Sequence, residues 1–75
     1  MPTYKIDFTW DDEAKVWYAT SEDIPGLVLE HESFDRLVEK VTLVAPELLE
    51  LNCGITGDFS IDCVAHRREN IVAYD

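Results

Sequence analysis

Asp23-Ile24-Pro25-Gly26-Leu27 stands between a stretch of period-two hydrophobicity and a stretch of helical periodicity, and its reading decides the fold. Pro25 presets φ for the first central position of a turn, and Gly26 supplies the left-handed conformation that a type II turn requires at the second. Leu27-Val28-Leu29-Glu30-His31 then forms a third short strand, after the two that lie upstream.

Of these, the first has Tyr4, Ile6, Phe8 and Trp10 alternating with Thr3, Lys5, Asp7 and Thr9, the pattern of a strand with one buried and one wet face. Asp11-Asp12-Glu13-Ala14 is a polar reversal. The second strand, Lys15 to Ser21, places Val16, Tyr18 and Thr20 on one side and Trp17 and Ala19 on the other. Both faces are partly apolar, which suits a central strand or an interface.

Downstream, Ser33 is a good N-cap and Asp35 lies in the first turn, where the helix dipole favours negative charge. Phe34, Leu37, Val38, Val41, Ala45 and Leu48 fall at spacings of three and four, an apolar stripe to lay across a sheet. Pro46 removes a backbone donor and crowds the carbonyl four residues back, so a kink or a break is expected there. Beyond it the apolar arc widens. Val44, Leu49 and Leu51 exceed what one sheet face uses and are assigned to a contact between subunits. Asn52-Cys53-Gly54 ends the helix, with Gly54 suited to a left-handed cap.

Phe59, Ile61, Cys63 and Ala65 alternate with Ser60, Asp62, Val64 and His66 as a fourth strand, on which Cys63 points inward. Arg67-Arg68-Glu69-Asn70 either turns into a short last strand, Ile71 to Tyr74, or continues the fourth strand through a bulge. The order β-β-β-α-β predicts an α+β fold, an antiparallel sheet with one helix packed on a face, as a single domain over residues 1–75.

Seventy-five residues build one modest core, a domain of this size burying about 60% of its unfolded surface, so self-association or a partner is expected. Sixteen Asp plus Glu against six Lys plus Arg give a formal charge of −10. Such a surface repels a nucleic-acid backbone and favours a basic partner. Cys53 and Cys63 are too few for a disulfide framework and have no zinc-type spacing. With no signal-peptide pattern and no apolar run near about 18 residues, the expected location is the cytoplasm.

Catalysis would need clustered titratable groups. Asp11, Asp12 and Glu13 sit in a reversal without the glycine and ligand periodicity of a calcium loop. His31 and His66 have no ligand or carboxylate at a metal spacing, and Gly26, Gly54 and Gly57 are isolated rather than part of a phosphate loop. The residues therefore assemble no catalytic set, no metal site and no cofactor site, and the chain is expected not to be an enzyme.

The acidic reversal Asp11-Asp12-Glu13, then Val16-Trp17-Tyr18-Ala19, Asp23-Ile24-Pro25-Gly26-Leu27 and the cap Ser33 occur in an order that resembles the N-terminal domain of HicB-type antitoxins. The segment Pro46-Glu47-Leu48-Leu49-Glu50-Leu51-Asn52 is similar to that of a short, single-domain HicB-like subgroup of uncharacterised function. The resemblance implies a partial ribonuclease-H-like fold without the nuclease's carboxylate set. It also implies binding to a small basic HicA-like ribonuclease toxin, whose active site the antitoxin covers. Family members continue into a DNA-binding domain, whereas this chain ends at Asp75, so direct nucleic-acid contact is not expected. Asp11, Asp12, Trp17, Glu22, Asp23, Glu30 and Glu32 are the residues assigned to the partner contact, and a homodimer or higher homo-oligomer is expected. The alternative function is a stand-alone oligomeric or ligand-sensing module of the same fold with no toxin partner.

Overall fold

The computed structural model describes residues 1–74. Its elements are β1 (Thr3–Asp11), β2 (Val16–Thr20), β3 (Val28–His31), α1 (Phe34–Cys53) and β4 (Ser60–His66). They form a four-stranded mixed sheet of order β3-β2-β1-β4 with one helix across a face. β1–β2 and β2–β3 are antiparallel, as the short reversals between them require.

The fourth strand departs from the expected antiparallel arrangement. β4 runs parallel to β1, with Thr3 opposite Ser60 and Thr9 opposite His66. The physical reason is the helix that precedes it. Twenty residues of helix carry the chain back about 30 Å, so the strand that follows sets off in the direction of β3, which is also that of β1.

The turn falls where expected. Leu27 N–H donates to the Ile24 carbonyl at 3.3 Å, and Gly26 has φ +85°, a value a side chain disfavours. A Cβ there would also stand 3.3 Å from Asn52 Nδ2, which donates to the Pro25 carbonyl and ties the turn to the end of α1.

Ile6 and Phe8 of β1, Ala19 of β2, Ile24 and Leu27 of the turn, and Leu37, Val41, Ala45 and Leu49 of α1 make the buried core. Phe34, Val38 and Leu48 pack against it, so the predicted stripe faces the sheet, and Val44, assigned to the subunit contact, is half-buried against the core as well. Leu49 is only 1% exposed, which removes it from the subunit contact assigned to it. At about 100° per residue it lies some 200° around the helix from Leu51, which is 80% exposed.

The helix continues through Pro46 in one element, without a break into two. Thr42 and Pro46 are both exposed, so the carbonyl that loses its donor is left to water rather than to the dry core. Ser33 caps the start, its Oγ accepting from Arg36 N–H at 3.3 Å, and Gly54 ends the helix at φ +65° with its N–H on the Glu50 carbonyl. Ser33→Ala is expected to cost about 1 kcal/mol, read as a fall in the urea midpoint at unchanged slope. An unchanged midpoint would show that the cap contributes nothing.

α1 crosses β2 and β3, so Ile61 of β4 is half-buried against the core while the strand beyond it is left open at Cys63. Cys63, in register with Ile6, is therefore exposed rather than inside the core. Residues 67–74 form no strand, neither a short fifth one nor a continuation of β4. No helix among the described residues is long and apolar enough to cross a membrane.

Candidate functional site

The two faces of the sheet differ in what they offer a partner. The strand registers place Tyr4, Ile6, Phe8, Trp10, Trp17, Ala19 and Leu29 on the helix side. Asp7, Thr9, Asp11, Val16, Tyr18, Thr20, Val28 and Glu30 stand on the open side. Trp17 is thus on the helix side and half-buried, its ring edge-on to Phe34 at 5.1 Å and 5.5 Å from Trp10. The aromatic ring on the open face is that of Tyr18, a residue not among those assigned to the partner contact.

The assigned carboxylates separate into two groups. Asp11, Asp12, Glu30 and Glu32 gather at the end of the sheet where β1 turns into β2 and where β3 finishes, since Tyr18 stands opposite Glu30 and Trp17 opposite His31. Glu22 and Asp23 lie at the other end, lining a shallow depression with Lys5 and Asp7.

Two of these acids are committed to the fold. Asp11 Oδ2 accepts from the Tyr18 hydroxyl at 2.6 Å, and its Oδ1 accepts from the backbone N–H groups of Glu13 and Ala14. The carboxylate closes the reversal, and Lys15 completes it at φ +57°. Asp23 Oδ2 accepts from Lys5 N–H at 2.8 Å, while Ser21 Oγ donates to the Lys5 carbonyl at 2.6 Å. Together these side chains satisfy the backbone of Lys5 where β2 has already ended. Asp12 pairs with Lys15 Nζ at 2.8 Å. Glu22, Glu30 and Glu32 are exposed and make no side-chain hydrogen bond among the described residues.

The hydrogen bond from Tyr18, then that from Ala14 N–H, holds the Asp11 carboxyl below its ordinary 3.8. The same bond, followed by the Asp11 charge, raises the Tyr18 phenol above its ordinary 10.0. For a depressed carboxyl the stabilisation is present above the unfolded pKa and is lost as pH falls through the folded one. For a raised phenol it is present below the unfolded pKa and is lost as pH rises through the folded one. The pair therefore holds between the acid limit of Asp11 and the alkaline limit of Tyr18. Tyr18→Phe is expected to move the Asp11 carboxyl titration up towards 3.8, followed by carbon-detected NMR. A titration that does not move would show that Tyr18 does not hold this carboxylate.

Hydrogen bonds from Lys15 and Trp10 lower Asp12 in the same way. Protein atoms about the Cys63 sulfur, then the Asp62 charge, push that thiol above its ordinary 9.0. A thiol so shifted is a poor nucleophile at neutral pH. Among the described residues no three of His, Cys, Asp or Glu converge as metal ligands would. His66 Nε2 lies 3.8 Å from Asp7 Oδ1 on the open face, and His31 Nδ1 accepts from Ser33 N–H at 2.9 Å.

Residues 3–74 match the family described as a domain of unknown function, DUF1902, and the chain belongs to that family. The fold is also similar to the crystal structure of a hypothetical protein from the extremely thermophilic bacterium Thermus thermophilus. The TM-score is 0.79 at 36% identity, over 92% of this chain and 99% of the other.

Proposed function

We propose that this chain is a HicB-like domain that binds a small basic RNA-cleaving toxin of the HicA-like type and silences it by covering its active site, with no chemistry of its own. The observation that carries this reading is the structurally uncommitted set Glu22, Glu30 and Glu32 on a chain of net charge −10. These groups make no hydrogen bond that a fold would require of them, and they suit long-range attraction of a basic surface. Asp12 adds charge beside Glu30 and Glu32, and Tyr18 offers an aromatic ring on the same open face as Glu30. The protein would act in the cytoplasm.

Co-expression with the product of the adjacent gene tests the reading. The expected result is a stoichiometric complex in which RNA cleavage is suppressed. Cleavage unchanged by a stoichiometric addition would overturn it.

A second reading, a stand-alone oligomeric or ligand-sensing module, is favoured by the thermophile relative, whose chain is matched over 99% of its length by this one domain. Under either reading the exposed Leu51 on α1 is a candidate contact between subunits.

A further inference from the structure

The C-terminal residues present apolar side chains that nothing in their own chain covers. Beyond β4, Ile71, Val72 and Tyr74 are 88%, 87% and 99% exposed. The radius of gyration is 14.7 Å against about 11 Å for a compact chain of this length, and the long dimension is 57 Å, so residues 67–74 stand off the body as an arm. Arg67 fixes the arm's root, its guanidinium lying 4.4 Å from the centre of the Trp10 ring and its Nε 2.7 Å from Glu69 Oε1. The family match runs through residue 74, so the arm is part of the domain the family shares.

The opposite end of β4 holds a cavity to receive it. Pro46, Leu49, Ile55 and Phe59, with Glu50, Thr56 and Gly57, surround about 120 Å³ beside the start of β4. β4 is an edge strand, its outer backbone groups unpaired and its helix-side face uncovered at Cys63 and Ala65.

We propose that two copies of this chain associate about a twofold axis with their β4 edges antiparallel. Each arm then reaches the partner's cavity at Leu49, Ile55 and Phe59, which takes one apolar side chain of the arm while the others cover its rim. The geometry selects this occupant. Antiparallel β4 edges bring the His66 end of one copy beside the Ser60 end of the other, where the cavity lies. Eight extended residues reach about 26 Å, enough to pass Ser60 and enter it.

To fill the cavity of its own chain the arm would have to double back along the whole of β4 from a root pinned on Trp10. Charge points the same way. All but two of the 16 acidic residues, but only four of the six basic ones, lie in residues 1–66. Two bodies so charged repel, and Arg67 and Arg68 bring the remaining basic charge to their junction. This dimer does not depend on the antitoxin reading, and it uses a surface other than Leu51.

Sedimentation and isotope-filtered NMR on a mixture of labelled and unlabelled full-length chains test it. The expected result is a dimer with intermolecular contacts from the Ile71 and Val72 methyls to the Phe59 ring. Ile71→Asp with Val72→Asp, on the exposed arm, should yield a folded monomer by circular dichroism, and so should Ile55→Glu in the cavity wall. Leu51→Glu should leave the dimer intact. A monomeric wild type, arm contacts found only within one chain, or a dimer that survives the arm substitutions and dissociates in Leu51→Glu would each overturn the proposal. So would a cavity filled only when a basic partner protein is added.

Discussion

Phe8→Ala is expected to cost the isolated chain about 3–5 kcal/mol, a large share of its stability. Phe8 is fully buried, and its ring meets that of Phe34 at 4.9 Å between centroids. Phe34 in turn carries Trp17, and Trp17 carries Trp10, so one ring anchors an aromatic row from the centre of the sheet to the root of the arm. Truncating a buried phenylalanine costs about 3–5 kcal/mol, while a domain of 75 residues is stable by roughly 4–11 kcal/mol. At a urea slope near 1 kcal/mol per M the midpoint falls by about 3 M or more. Val28→Ala, at a strand position 72% exposed, is the matched control and should stay within about 0.5 kcal/mol of wild type. A loss below about 1 kcal/mol for Phe8→Ala would mean that the helix does not pack on this face.

The same core shows what a sequence displays and what it conceals. Ile24-Pro25-Gly26-Leu27, the cap at Ser33, the stripe from Phe34 to Leu48 and the wet face of β1 are legible because each rests on local chemistry or on a period counted along one element. The parallel pairing of β4 is hidden because it depends on how far α1 carries the chain, which no local period records. Which side of β2 faces the helix is hidden too. Trp17-Ala19 and Val16-Tyr18 are both apolar enough for the core, and the choice is made by Phe34 and Trp10, contacts distant in sequence.

The expectations at Leu49 and Cys63 fail together and for related causes. α1 lies over β2 and β3, so its flank at Leu49 is turned inward against the core, while the fourth strand is left open at Cys63. Asp11 and Asp23 invite assignment to a partner because carboxylates in turns look free. Their backbone duties show only once Lys5 N–H and the Glu13 and Ala14 N–H groups are seen to lack strand partners.

That division between committed and uncommitted acids selects the variant that best tests recognition. Replacing Asp11 or Asp23 would confound charge with folding. Glu22, Glu30 and Glu32 carry no such burden, so Glu22→Gln, Glu30→Gln and Glu32→Gln together remove three charges and should leave the thermal midpoint nearly unchanged. If the chain captures a basic partner, long-range attraction sets the encounter rate, and the triple variant should associate on the order of tenfold more slowly at low salt. The difference should shrink as ionic strength rises and the Debye length falls to about 3 Å near 1 M. The dissociation rate should change less, because exposed rim charges govern approach more than residence. Stopped-flow association over a salt series separates the two rates. Equal association rates for wild type and variant at low salt would show that these three carboxylates do not face the partner. The open-face ring of Tyr18 would then be tested by Tyr18→Ala.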